Sequence, residues 1–168
     1  MSDITIRPQR RPDDLDAIET MVARAFAEHG GTEAFREFRA GRDDIISLVA
    51  ETDGNIVGNI LFSPVELDSP SGPVKGMGLG QLSVDPAFQN RGIGTALGNA
   101  GIDALRETGC PFSIVIGHAA YYPRFGYERG DAHGVECQWD GVPPETFMVL
   151  FPCGKQPGLT GQAAFDGL

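Results

Sequence analysis

The sequence predicts an α/β protein, a mixed sheet with helices on both sides and elements in the order β-α-α-β-β-β-α-β-α-β-β. Three observations lead there. Apolar residues switch repeatedly between the two-residue period of strands and the 3.6-residue period of helices. Short continuous apolar runs, such as "PFSIVIG" at 111–117, have the character of strands buried on both faces. Residues 79–117 read strand, helix, strand, which places two parallel strands side by side across a right-handed crossover.

In order along the chain, "ITIRP" is a first strand ended by Pro8. Asp13 or Asp14 can cap the helix that follows, where Leu15, Ile18, Val22, Ala25 and Phe26 recur at helical spacing. "HGG" at 29–31 breaks it, and "TEAFREFRAG" has the pattern of a second, shorter helix closed by Gly41. "SLVAETDGNIVGNILFSPVEL" reads as a hairpin turning at Asp53-Gly54. "GMGLGQLSV" is the next strand, ended by the turn signal Asp85-Pro86. From Gly92 to near Gly109 the period becomes helical, with Ile93, Leu97, Ala100, Ala104 and Leu105 on one face. "PFSIVIG" is the strand after it, and "AAYYPRFG" is a short helix or turn. Two further strands fall around "HGVECQW" and "TFMVLF", while the Gly-rich "GKQPGLTGQAAFDGL" carries no assignable pattern.

At 168 residues the chain is expected to form one domain, residues 1–168, large enough to bury its own core. With 41% hydrophobic and 21% charged residues, disorder is not the default. No apolar run reaches the length of a membrane span, and "MSDITIRPQRR" turns polar at once, unlike a secretory signal. Cys110, Cys137 and Cys153 are odd in number, widely spaced and form no CxxC, so they read as buried small hydrophobes in a reducing cytoplasm, with no zinc site or other metal centre. A net charge of −10 argues against nucleic acid, which needs a basic footprint. Seven acids lie between Asp43 and Asp85 against a single base, Lys75, which puts an acidic rim along one part of the sheet.

The stretch "LSVDPAFQNRGIGTALG", residues 82–98, carries the chemistry. A strand's exit becomes a helix's first turn at "QNRGIG", and helix N-termini combine unpaired N–H groups with a partial positive charge that suits an anion. Closely spaced glycines also occur in dinucleotide-binding loops. Such loops follow their strand directly and are answered by an acid at the end of the next strand; here seven residues separate Val84 from Gly92, and "PFSIVIG" ends without an acid.

"LSVDPAFQNRGIG" resembles motif A of the GNAT superfamily of acetyltransferases, Gln/Arg-x-x-Gly-x-Gly/Ala after a strand and a Pro-containing turn. Gln89, Arg91, Gly92 and Gly94 fit that segment, with Asn90 and Ile93 at variable positions. The second signature, an aromatic followed closely by a Gly-aromatic pair, appears as "YYPRFGY". The order of elements matches the family across nearly the whole chain, and "GHAAYYPRFGYERG" is most similar to its small bacterial YhbS-like subgroup.

The resemblance implies the GNAT acyl-CoA N-acyltransferase fold and acetyl-CoA as co-substrate. Backbone amides of Leu82, Ser83 and Val84 would pair with the pantetheine arm as another strand would. The pyrophosphate would rest on N–H groups of Asn90, Arg91, Gly92, Ile93, Gly94 and Thr95, with Gln89 and Arg91 adding side-chain donors. Glycine at 92 and 94 lets phosphate oxygens approach without a Cβ in the way. The acceptor would be a primary amine of a small molecule or peptide, attacking directly with no covalent enzyme intermediate. Homodimers are one assembly this reading allows.

The N–H of Val84 would polarise the thioester, and by resemblance Tyr122 is the general acid for the departing thiolate, with Tyr121 its neighbour and Phe125 and Tyr127 in the core. Pro123 biases Tyr122 away from helical dihedrals, so the family's short helix is expected to be irregular or to begin later. Many relatives carry a glutamate just before the Leu-x-Val; this chain has Gln81, which cannot take a proton. Glu51, Asp85, His118, Glu28 and His29 stay open as bases, directly or through water. A non-catalytic acyl-CoA-binding sensor is the alternative that this departure allows.

Overall fold

The computed structural model describes residues 2–28, 36 and 39–166. Its elements are β1 (Thr5–Pro8), α1 (Leu15–Ala25), β2 (Ile46–Thr52), β3 (Asn55–Ser69), β4 (Gly72–Val84), α2 (Ile93–Glu107), β5 (Ser113–Ile116), β6 (Glu128–Arg129), β7 (Val135–Cys137), β8 (Phe147–Leu150) and β9 (Gly161–Phe165). Short 3-10 turns lie at Pro86–Phe88, Tyr122–Phe125, Gly130–His133 and Pro144–Thr146. The chain forms two compact units, one of Met1–Phe62 with Gly80–Gly101, the other of Ser63–Leu79 with Ile102–Leu168; β3, β4 and α2 run through both.

In the first unit β1 pairs antiparallel with β2 from Thr5↔Glu51 to Pro8↔Leu48. β2 pairs antiparallel with β3, with a register shift at Ala50/Glu51. The hairpin turns where the Asp-Gly pair predicts, with Asp53 at φ 49 and Gly54 at φ 75, the two left-handed residues a two-residue turn of this kind needs. α1 buries Ile18, Met21 and Val22 against Val49 and Ile56. Its N-cap differs from expectation. Asp14 stands at that position but makes no side-chain cap, because Arg7 on β1 takes both carboxylate oxygens (2.6 and 3.1 Å) and the backbone N–H of Arg10 takes one of them (2.6 Å). The Arg7 hydrogen bond holds that carboxyl below its ordinary range.

The buried face of α2 also shifts from the expected one. Ile93, Leu97, Ile102 and Leu105 are buried, but Ala100 and Ala104 are only half-buried, and Gly98 and Gly101 take the inward positions. Glycine is needed there for close approach: a Cβ on Gly101 would stand 2.7 Å from the Phe62 ring, and one on Gly58 of β3 would stand 2.8 Å from Leu97.

In the second unit β4 and β5 pair in parallel, as expected, from Met77↔Ser113 to Leu79↔Val115. β5 pairs antiparallel with β8, and β8 with β6; β9 pairs antiparallel with β3 and parallel with β7. Val65, Leu67, Phe112, Ile114, Val149 and Phe165 are central to the core of this unit. Three expectations are corrected here. Nine strands stand among the described residues instead of seven: β6 has two residues, too short for any period to show, and β9 lies in the tail that carried no pattern. β9 is made by its partners, through Val65↔Phe165 to Asp68↔Gln162, not by the hydrophobicity of "GQAAF". β5 is buried from Ser113 to Val115, but Ile116 at its end is 36% exposed. Of the cysteines only Cys110 is buried; Cys137 is half-buried and Cys153, in the turn after β8, is exposed.

Of the expected second helix, residues 36 and 39–41 are helical and the rest lies outside the described residues, as does the "HGG" break. Among the described residues no helix is long and apolar enough to cross a membrane, and no group of three or more His, Cys, Asp or Glu side chains could hold a metal ion.

Candidate functional site

In the first unit the site begins at the end of β4. The register with β5 ends at Leu79, and β4 runs on to Val84. Along this end Gln81 and Ser83 are buried and Leu82 and Val84 half-buried, the alternation of a strand. Asp85 then stops it. Its N–H donates to the Val57 carbonyl (2.8 Å), and its carboxylate accepts from the Ala87 N–H (3.0 Å), capping the 3-10 turn.

The next residues turn the chain into α2. Asn90 (φ 60) and Gly92 (φ 81) are both left-handed, and the Gly92 carbonyl accepts the N–H of Ala96 at 3.0 Å, which makes Gly92 the N-cap. The amides of Ile93 and Gly94 therefore fall in the first turn, where a helix offers no internal acceptor. A Cβ on Gly92 would meet nothing within 4 Å. All ten expected donor-site residues from Leu82 to Thr95 thus lie on one strand-turn-helix segment. Gln89 donates to the Val84 carbonyl (3.1 Å), Arg91 lies over the Phe88 ring at 5.2 Å, and Ile93 turns its side chain inward. The segment offers a ligand its backbone N–H groups together with the exposed side chains of Gln89 and Arg91.

In the second unit the aromatic motif forms a tight turn. The N–H of Gly117 donates to the Thr146 carbonyl (3.0 Å), and the His118 carbonyl accepts from the N–H groups of Tyr121 (3.0 Å) and Tyr122 (3.4 Å). The 3-10 turn starts at Tyr122 and not later, because proline fits the first positions of a helical turn, where its missing N–H costs nothing. Gly117 makes room for the Tyr122 ring, since a Cβ there would lie 2.4 Å from Cε2. Tyr122 packs edge-on against Tyr121 (5.3 Å) and Tyr127 (6.1 Å). Tyr127 is fully buried with its hydroxyl 2.7 Å from the Ser113 hydroxyl, and Phe125 is buried too, as expected of core residues. The Tyr122 hydroxyl has no hydrogen-bond partner among the described residues. Burial, with a smaller effect of Tyr121, pushes its pKa up to about 12.

A polar cluster inside the first unit was not foreseen. Arg39 is fully buried; its guanidinium donates to Asn59 Oδ1 from Nε (3.2 Å) and Nη2 (2.9 Å), to Gln81 Oε1, and to Glu19 (3.0 Å). Asn59 in turn donates to the Ser47 hydroxyl (3.0 Å) and the Leu48 carbonyl (2.9 Å). Burial lowers the Arg39 pKa, and Glu19 opposes that shift. One signal pointed here: Asn59 is a lone amide in the apolar run "IVGNILF", and a polar residue at a buried strand position must find partners.

The base candidates are dispersed. Glu51 is hydrogen-bonded to Arg7 (3.0 Å), and Asp85 accepts two bonds from Arg24 (3.0 and 2.6 Å) besides its cap. His118 and Glu28 are exposed, and His29 lies outside the described residues.

Residues 5–130 match the family described as "Acetyltransferase (GNAT) domain". Over 132 residues the chain is 29% identical to the uncharacterized N-acetyltransferase YhbS of Escherichia coli K12, covering 78% of each chain. It is similar to the crystal structure of YhbS from Escherichia coli in complex with CoA, with a TM-score of 0.85 and 26% identity over 99% of this chain and 91% of that one. It is also similar to a GNAT family acetyltransferase from Brucella melitensis in complex with acetyl-CoA, with a TM-score of 0.78 and 30% identity over 98% and 97%.

Proposed function

Because the chain belongs to the GNAT acetyltransferase family, as an N-acetyltransferase that uses acetyl-CoA, we propose that it moves the acetyl group to a primary amine of a small molecule or peptide by direct attack. No covalent enzyme intermediate forms. The observation that carries this reading is the end of β4, which runs past its β5 register into a left-handed glycine N-cap. An extended amide-bearing arm can pair with a strand edge, and a pyrophosphate suits the N–H groups at a helix start. The donor therefore lies along Leu82, Ser83 and Val84, with its phosphates at residues 90–95.

The amine nitrogen attacks the thioester carbon, the C–S bond breaks, the nitrogen gives up a proton and the sulfur gains one. A lysine-like amine, with a pKa of about 10.4, enters only after losing its ammonium proton. The Val84 N–H stabilises the developing oxyanion. Tyr122 serves the sulfur. A phenol at about 12 stays protonated throughout the working range, so it is always a donor. A thiol titrates roughly three units lower, near 8.5, so full transfer from this phenol is uphill. Tyr122 therefore acts by hydrogen-bonding the departing sulfur, which takes its final proton as product leaves.

Thiol detection over a panel of primary amines tests the reading. CoA release should require both acetyl-CoA and an amine. Thermal protection by acetyl-CoA, which a ligand of the folded state confers, without thiol release from any amine would instead mark a binding protein.

A further inference from the structure

We propose that Gln81, oriented by Arg39, recognises an oxygen atom of the acceptor amine, and that the preferred acceptors carry a carbonyl or carboxylate beside the amino group; this rests on the transferase reading above. A guanidinium has only donors, so the atom of Gln81 that faces Arg39 must be its oxygen. The carboxamide is thereby fixed with its NH2 turned away from Arg39, and that group has no partner among the described residues. Two residues on, at the same face of β4, the Ser83 hydroxyl is buried without a partner, closed off by the protein itself. Gln81 and Ser83 are only 7% and 3% exposed. Arg39 fixes which end of the Gln81 amide faces inward, so its NH2, turned away from that guanidinium, is the donor left for a ligand to meet.

The chemistry of that partner follows. An amide NH2 only donates, so it cannot hold an ammonium or remove its proton; it requires an acceptor oxygen. Gln81 immediately precedes Leu82 to Val84, where the thioester is proposed to lie. An amine attacking there carries its neighbouring atoms past it. Arg39 is thus a positioning residue, and Gln81 a specificity-determining one.

The test compares glycinamide and glycine, which bear the oxygen, with n-propylamine and n-butylamine, which lack it, in the acetyl-CoA thiol-release assay. The variants are Gln81→Leu, which deletes the donor, and Gln81→Glu, which keeps a partner for Arg39 if the leucine variant does not fold. Ratios between wild type and variant cancel the different basicities of the amines. The kcat/KM ratio of an oxygen-bearing amine to n-propylamine should fall about tenfold in both variants, mainly through KM, as for the loss of one hydrogen bond. Loss with glycinamide alone assigns a carbonyl, and with glycine a carboxylate. An unchanged ratio overturns the assignment, as does a rise of kcat for n-propylamine in Gln81→Glu, which would put position 81 at the nitrogen. If no amine of either set releases thiol although acetyl-CoA binds, the transferase reading itself fails and this assignment with it.

Discussion

Tyr122→Phe is expected to lower kcat by about 10²–10³-fold while acetyl-CoA affinity stays within about twofold. The substitution removes one hydroxyl and keeps the ring, so packing against Gly117, Tyr121 and Tyr127 survives. No hydrogen bond among the described residues is lost with it, and an effect on turnover thus reports an interaction made with the reacting sulfur. The pH dependence separates this role from an indirect one. With a phenol pKa of about 12, the proton is retained well above neutral pH, and Tyr122 adds no alkaline limb to kcat below about pH 11. Wild-type and Phe profiles should therefore run parallel between pH 7 and 10, offset by the rate loss. Wild-type turnover in Tyr122→Phe would remove the residue from the chemistry, and Tyr121→Phe, expected to cost less than about tenfold, would take its place in the test.

Arg39→Leu is expected to cost about 3–5 kcal/mol of folding stability, the range for removing one partner of a buried ion pair. The loss has two parts. Glu19 keeps a charge without its cation, and the oxygens of Asn59 and Gln81 lose the donors that meet them in the interior. Replacing Glu19 as well, in Arg39→Leu with Glu19→Leu, should recover part of the loss, because a buried pair exchanged for apolar side chains is often neutral. Urea denaturation with an unchanged m-value reads both variants. A single variant within about 1 kcal/mol of wild type would mean that water reaches the guanidinium and that the cluster does not fix Gln81.

The strand-turn-helix segment proposed to bind the donor was legible because its signals are local. Asp85-Pro86, the left-handed Gly92 and the change of period at Ile93 each act within a few residues, and the strand-turn-helix stands where they put it. The Asp53-Gly54 hairpin was readable for the same reason. What stayed hidden depends on distant partners. β9 exists through Val65 and Asp68, nearly a hundred residues earlier, and its own residues carry little strand signal. The inward face of α2 is built on Gly98 and Gly101, whose missing side chains leave no hydrophobic mark while letting the helix close on Phe62. Arg39 reads in sequence as one more surface cation of an amphipathic helix; its burial follows from Asn59, Gln81 and Glu19 converging on it across twenty to forty residues. The departure at Gln81 was visible, but its orientation was not, since only the guanidinium decides which end of the amide faces in.

The central claim, that acetyl-CoA rests on the helix start at Gly92, is tested most directly by calorimetric titration of acetyl-CoA into wild type, Gly92→Ala and Gly92→Val. Any side chain at φ 81 is strained, at about 1–3 kcal/mol, but that strain is present with and without ligand and lowers stability more than affinity. A branched side chain in the space beside the first-turn amides acts on the bound state alone, since nothing of the protein lies within 4 Å of that Cβ to clash in its absence. Affinity should fall at least about tenfold in folded Gly92→Val, and less in Gly92→Ala. Wild-type affinity in a folded Gly92→Val protein would contradict the account, because the phosphates would then lie elsewhere.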